Sequence, residues 1–160
     1  MRVPDLSGHP VFDEANRLEP ILLEDLPTGF IHGDIHEYNL LVDDDGQIAG
    51  LIDWEEATVD ALALDLASAV RWLCVTNGQL RQAHVDALLV AYASVRPLPF
   101  PNLDTLTALV RYVALVVSIW VLHRCYIGDG DDSLLTIADL YWQDRISELS
   151  LVSSDSVAAG

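Results

Sequence analysis

Residues 32–56 read HGDIHEYNLLVDDDGQIAGLIDWEE, and this stretch decides the fold of the chain. It holds two apolar runs, Leu40–Val42 and Ile48–Ile52, which are separated by a polar segment containing an Asp-Gly pair. An Asp-Gly pair between two apolar runs is a strong signal for a β-hairpin. The stretch therefore predicts a hairpin with HGDIHEYN at the start of its first strand and DWEE after its second.

The segments on either side of the hairpin have helical patterns. Before it, Pro27 and Gly29 end a first helix, and a short strand at Phe30–Ile31 leads into HGDIHEYN. After it, apolar residues recur at helical spacing from Leu62 onward, with Asp60 as the expected N-terminal cap and Asn77-Gly78 as the expected end. The expected helices besides this one are Val11–Leu23, Gln79–Val95, Asp104–Ile127 and Ser133–Leu149. The pattern predicts an α+β, mostly α-helical fold, with one hairpin mounted on a helical bundle.

Composition limits the class of partner. The chain has 160 residues, enough for one compact domain, and its 51% hydrophobic content favours a packed core. The net charge is -17, and all 8 basic residues are arginines. Because the arginines are few and scattered, they cannot form a basic patch. We therefore expect neither nucleic acid nor an anionic membrane surface as a partner. A cationic small molecule would be attracted.

The chain is expected to be cytoplasmic. Residues 1–5 show no secretory signal, and the longest apolar run, Tyr112–Leu122, is shorter than a membrane span and favours a buried core helix. Cys74 and Cys125 both lie in apolar helical segments, as buried thiols do in a reducing compartment.

Three oxygen-bearing side chains are expected to converge at one end of the hairpin. Asp34 lies in a tight loop where Gly33 allows close backbone approach, and Asn39 stands at the start of the first strand. Asp53 follows the second strand, so strand pairing returns it to the neighbourhood of Asn39. Phosphoryl transfer to an alcohol requires one carboxylate that orients the hydroxyl and accepts its proton. It also requires oxygen ligands for Mg²⁺, which a second carboxylate and an amide can supply.

These residues carry a family resemblance. The pattern His-Gly-Asp-x-x-x-x-Asn, a hairpin, Ile-Asp-Trp and then Leu-Asp-Leu-Ala at a helix start resembles the aminoglycoside phosphotransferase and choline kinase-like family, which shares the protein-kinase fold. The resemblance is close over residues 26–73 and looser in the later helices. It implies a protein-kinase-like C-terminal lobe.

The resemblance also implies roles for individual residues. Asp34 would be the catalytic base, and Asn39 and Asp53 would bind Mg²⁺ together with the nucleotide. His32 would support the catalytic loop from within, and Asp65 would brace it from the following helix. ATP or GTP would be the phosphate donor.

The segment GLIDWEEAT at residues 50–58 further resembles the macrolide phosphotransferases of this family, which act in antibiotic resistance. The acceptor expected from the resemblance is therefore a hydroxyl of an amino sugar, a macrolide or an amino alcohol. A cationic acceptor would suit the acidic chain.

The chain departs from the family before His32. It contains no lysine and no glycine-rich phosphate loop, which the family carries in an N-terminal lobe. We therefore expect residues 1–152 to form the catalytic lobe alone, followed by a disordered tail at 153–160. Such a lobe would be inactive in isolation, and would need a separate N-terminal lobe chain or self-association.

Other interpretations remain open at this point. Glu55, Glu56 and His36 are candidates for contact with the substrate or a metal-bound water, or are simply solvated polar residues. Alternatively, His32, Asp34 and His36 have metal-ligand spacing, which would fit a metal-dependent phosphoesterase. A non-catalytic truncated or split lobe is a further alternative, and it predicts an exposed apolar patch.

Overall fold

A computed structural model describes residues 10–22, 25–126, 146 and 149–151. The first half of the described chain is a helix, four strands and a 3₁₀ turn: α1 Pro10–Leu22, β1 Thr28–Ile31, the 3₁₀ turn Glu37–Asn39, β2 Leu40–Val42, β3 Ile48–Leu51 and β4 Thr58–Ala61. The second half is mostly helical: α2 Ala63–Leu73, β5 Val75–Thr76, β6 Gln79–Leu80, α3 Gln82–Ala93 and α4 Leu103–Tyr126. A mixed fold with more helix than strand is confirmed for this part of the chain. The expected helix Ser133–Leu149 and tail 153–160 lie almost wholly outside it.

The predicted hairpin is present. Strands β2 and β3 are antiparallel, with Leu40 opposite Leu51. Asp43 closes the connection, because its Oδ1 accepts the backbone N–H groups of Asp45 and Gln47 at 3.0 and 2.8 Å. The short polar segment thus determines the register, and this register decides which residues meet at the open end.

A second strand pair was not predicted. Strand β1 pairs with β4 in antiparallel register, from Thr28 opposite Ala61 to Ile31 opposite Thr58. Asp60 therefore lies within a strand, and the expectation that it caps the next helix is wrong. Helix α2 begins after Leu62, which provides no side-chain cap. Pairing with a strand about thirty residues earlier outweighs the local capping preference of an aspartate.

The Asn77-Gly78 pair forms a hairpin turn. Both residues have positive φ, 49° and 69°, as the central residues of a type I′ turn require. The turn joins β5 to β6, so α2 ends at Leu73 and α3 begins only at Gln82. The prediction that Asn77-Gly78 directly separates two helices is corrected accordingly.

Helix α4 forms the centre of the core and packs against α1 and α2. The fully buried core side chains include Leu18, Val70, Leu89, Leu106 and Leu115. Among the described residues, Leu103–Cys125 is apolar and long enough to span a membrane, with a mean hydropathy of 2.0. Of its most apolar stretch, 61% is buried within the protein, as expected for a core helix.

Two further features of the core concern its polar groups. Cys74 and Cys125 are buried free thiols, as predicted, and burial raises the pKa of the Cys74 thiol to about 11. Arg111, on α4, donates from Nη2 to the carbonyl of Leu149. The N–H of Leu151 donates to Thr107 Oγ1 at 3.2 Å, so α4 holds the 149–151 segment by two contacts.

Candidate functional site

The loop after β1 is organised around a buried histidine. His32 is 2% exposed, and both of its ring nitrogens have backbone partners. Nδ1 accepts the N–H of Asp34 at 3.2 Å, so Nε2 carries the proton and donates to the carbonyl of Ile52 at 2.9 Å. The ring therefore joins the loop that carries Asp34 to the segment that carries Asp53.

Two side chains of helix α2 hydrogen bond to the backbone of the same loop. Asp65 accepts two backbone N–H groups, that of His32 at 2.8 Å and that of Gly33 at 3.0 Å. Ser68, one turn later on the same helix face, donates its hydroxyl to the carbonyl of Ile35 at 2.9 Å. Ser68 was not singled out from the sequence. Its spacing of three residues from Asp65 is the signal that would have found it.

Gly33 occupies a position that only glycine fits. Its φ is +85°, in the left-handed region, and a Cβ added there would lie 2.6 Å from the carbonyl oxygen of Glu56. The backbone of the loop thus passes directly against the segment that follows Asp53. Close contact between the two segments depends on the absence of a side chain at Gly33.

Asn39 connects to Asp34 across the loop. It is 5% exposed, and its Nδ2 donates to the backbone carbonyl of Asp34 at 2.9 Å and to the carboxylate Oδ2 at 3.3 Å. Because the amide nitrogen faces Asp34, the amide oxygen on the same planar group faces away from it. Asn39 therefore both restrains Asp34 and presents an oxygen of its own.

Asp53 is brought to Asn39 by the hairpin. The N–H of Ile52 donates to the carbonyl of Asn39 at 3.0 Å, while the Ile52 carbonyl accepts from His32. Asp53 follows at φ +65°, an uncommon conformation for a residue with a side chain. Such strain persists where the surroundings impose it and is often found at functional sites.

The aromatic side chain of Trp54 packs beside the hydrogen bond between His32 and Ile52. The Trp54 ring lies 4.7 Å from that of His32 and is stacked 6.1 Å from that of Phe30, and its Nε1 donates to the carbonyl of Leu51 at 2.9 Å. Trp54 is nonetheless about half exposed. Trp54 thus contacts the ring that donates to Ile52, and part of its own surface is in solvent.

The remaining predicted site residues lie around the loop. His36 contacts Asp34, with Nε2 3.2 Å from Oδ2, and caps the 3₁₀ turn by accepting the Tyr38 N–H on Nδ1. Glu55 and Glu56 form an exposed turn directly after Trp54, with solvated side chains. The structure thus brings His36 to Asp34 and leaves the two glutamates at the periphery.

The donor set fits Mg²⁺ better than a transition metal. The amide oxygen of Asn39 and the exposed carboxylate of Asp53 are hard oxygen ligands, and Mg²⁺ commonly takes only one or two from protein and the rest from water and phosphate. Within the described ranges, no group of three or more His, Cys, Asp or Glu is placed to hold a metal. Both nitrogens of His32 are already engaged, so the His32, Asp34, His36 metal set of a phosphoesterase gains no support.

Similarity to known proteins agrees with this geometry. A family model described as "Phosphotransferase enzyme family" matches residues 5–98, which include the whole loop, the hairpin and α2. Several relatives have the name homoserine kinase. That of Methylobacterium sp. (strain 4-46) is 36% identical over 104 residues, 64% of this chain and 32% of the relative.

Two further homoserine kinases extend the comparison. That of Methylobacillus flagellatus is 31% identical over 135 residues, 84% of this chain and 42% of the relative. That of Agrobacterium fabrum is 38% identical over 93 residues, 58% of this chain and 29% of the relative. The chain spans about a third of the length of the curated relatives it matches. The family match covers more than half of the chain, which therefore belongs to the phosphotransferase enzyme family.

Proposed function

We propose that this chain carries the catalytic and cation-binding part of a small-molecule O-phosphotransferase, which transfers the γ-phosphoryl group of a nucleoside triphosphate to a hydroxyl. The observation that carries the proposal is the hydrogen-bonded connection of Asp34, Asn39 and Ile52, which brings Asp53 to the same end of the hairpin. Membership of the phosphotransferase family supports it.

The acceptor we propose is homoserine or a closely similar hydroxy amino acid. The relatives cited above have the name homoserine kinase, and homoserine combines a primary hydroxyl with an ammonium group and a carboxylate. Homoserine was not among the acceptors expected from the sequence, and the amino-alcohol class is the nearest of them. The amino-sugar and macrolide classes, and a part in antibiotic resistance, gain no support from the names of these relatives. The net charge of -17 favours a substrate with a net positive charge, which homoserine, as a zwitterion at neutral pH, does not have.

Each residue of the site then has a task. Asp34 orients the acceptor hydroxyl and accepts its proton as the phosphoryl group is transferred. Asn39 and Asp53 would hold Mg²⁺, which would supply positive charge to neutralise the phosphates. His32 and Asp65 keep the loop in place through the backbone contacts described above. Glu55 and Glu56 follow Asp53 closely in the chain, and their negative charge would attract the ammonium group of the acceptor.

We place this chemistry in the cytoplasm, with ATP or GTP as donor, and assign residues 1–152 to a protein-kinase-like C-terminal lobe. The buried free thiols are consistent with a reducing compartment. The charge distribution supports no nucleic-acid partner, since the basic residues are few and scattered.

Calorimetric titration of the chain with Mg-ATP and with Mg-GTP tests the proposal. We expect Asp53→Ala to weaken binding by at least about 10-fold, because it removes a metal-binding carboxylate. Asp44→Ala removes the same charge from the exposed hairpin turn and should leave affinity unchanged. Equal affinity of the wild type and Asp53→Ala would contradict the assignment. Where binding is found, phosphorylation of homoserine is compared with that of choline, an amino sugar and a macrolide.

A second candidate function is that of a lobe that needs a partner chain. The observation in its favour is an exposed apolar face, in which Phe30 and Val59 are paired across β1 and β4 and Phe30 stacks on Trp54. Phe30 is 65% and Val59 72% exposed, more than an isolated domain usually leaves in one place. Sedimentation over a range of concentrations should show self-association that Val59→Glu weakens. A monomer with steady turnover of Mg-ATP would exclude this candidate.

A further inference from the structure

His36 has two hydrogen bonds that require a single form of its ring. Nδ1 accepts the backbone N–H of Tyr38 at 3.2 Å, so in a neutral ring the proton must be on Nε2. Nε2 lies 3.2 Å from Asp34 Oδ2, within reach for donation. The contact with Asp34 is therefore a hydrogen bond that Nε2 donates from the neutral ring.

The ring is also confined by its neighbours. The Tyr38 ring lies 5.8 Å away and the Trp72 ring 6.5 Å away, both edge to face with the imidazole. The side chain of His36 is 24% exposed, against 45% for that of Asp34. A mostly enclosed ring with one nitrogen tied to the backbone has little freedom to turn away from the carboxylate.

The two oxygens of Asp34 consequently differ. Oδ2 receives Nε2 of His36 and Nδ2 of Asn39, at 3.2 and 3.3 Å. No described residue is hydrogen bonded to Oδ1. A carboxylate held through one oxygen presents the other in a defined direction.

We propose that His36 is a positioning residue that, with Asn39, anchors Oδ2 of Asp34 and leaves Oδ1 as the oxygen that receives the proton of the acceptor hydroxyl. This assignment rests on the proposed function for the role of Oδ1. The anchoring itself does not, because it is a property of the chain in the absence of substrate. The two parts are therefore tested by different measurements.

Two variants separate donation from packing. His36→Gln keeps an N–H donor close to the position of Nε2, whereas His36→Phe keeps a ring between Tyr38 and Trp72 but has no donor. Nitrogen NMR of the full chain with labelled histidine reports the tautomer, with the His36 signal identified by its loss in His36→Gln. Carbon NMR of labelled aspartate reports the environment of the Asp34 carboxylate. Thermal unfolding checks that both variants are folded.

We expect the Nε2–H tautomer at His36, and an Asp34 carboxyl resonance that moves in His36→Phe and stays near its wild-type position in His36→Gln. The Nδ1–H tautomer, or an equal response of Asp34 to both variants, would overturn the anchoring. Where the chain phosphorylates homoserine, kcat should fall about 10-fold in His36→Phe and recover in His36→Gln, with KM unchanged. Absence of turnover in the isolated chain agrees with a lobe that needs a partner chain, and the two spectroscopic results still decide the anchoring.

Discussion

The brace from α2 gives a quantitative prediction for stability. The Asp65 carboxylate accepts the N–H of His32 at 2.8 Å and that of Gly33 at 3.0 Å. Hydrogen bonds to a charged group contribute about 1.5–3 kcal/mol each, and both are partly accessible to solvent, so the lower end applies. Asp65→Ala should therefore lower the free energy of unfolding by about 3 kcal/mol. Asp65→Asn keeps one acceptor oxygen but places an amide donor against the other backbone N–H, so its cost should be close to that of Asp65→Ala.

Urea denaturation followed by circular dichroism measures these values. Asp104→Ala is the matched control, because Asp104 also lies in the first turn of a helix and its loss changes the net charge equally. Loss of the favourable interaction with the helix dipole should cost this control only about 0.5 kcal/mol. A loss in Asp65→Ala no larger than in Asp104→Ala would show that the two loop contacts contribute nothing. An Asn variant as stable as the wild type would contradict the role of both carboxylate oxygens as acceptors.

Three further predictions concern the loop and the core. Gly33→Ala should destabilise by more than Gly46→Ala in the same denaturation assay, since both glycines have positive φ but only the first would bring a Cβ to 2.6 Å from a carbonyl oxygen. In a Cys125→Ser background, native Cys74 should react with a disulfide reagent at least about 100-fold more slowly than an unfolded thiol at pH 8, because burial raises its pKa from 9.0 to about 11 and so disfavours the thiolate. Equal rates in native protein and in denaturant would contradict this. Leu106→Ala should cost about 3 kcal/mol, measured by thermal unfolding, since the side chain is fully buried in α4.

The sequence predicted the β2–β3 hairpin but not the strand pair beside it. The β2–β3 hairpin is encoded by adjacent residues, and its register alone places Asn39 near Asp53. Strand β4 was missed because its partner, β1, lies about thirty residues earlier and because the alternation of polar and apolar residues in β4 spans only the four residues Thr58–Ala61. Periodicity within a short window cannot detect such a pairing.

The Asn77-Gly78 turn shows a different limit. The pair is a good signal for both the end of a helix and a type I′ hairpin, and only two residues on each side are paired. Within the site, the contacts of Asp65 followed from the family resemblance, whereas the backbone role of Ile52 had no signal at all. A residue that acts through its peptide groups leaves no trace in its side-chain type.

That backbone role of Ile52 has a consequence for substitution. Its N–H and carbonyl join Asn39 to His32, while its side chain is 43% exposed. Most side chains should therefore be accepted at this position, and proline should not, because it lacks the N–H. Libraries built at position 52 offer a way to alter the apolar surface beside Asp53 without disturbing the network beneath it. The amide proton of Ile52 would serve as the reporter, since its exchange with solvent requires the segments that carry Asn39 and Asp53 to separate.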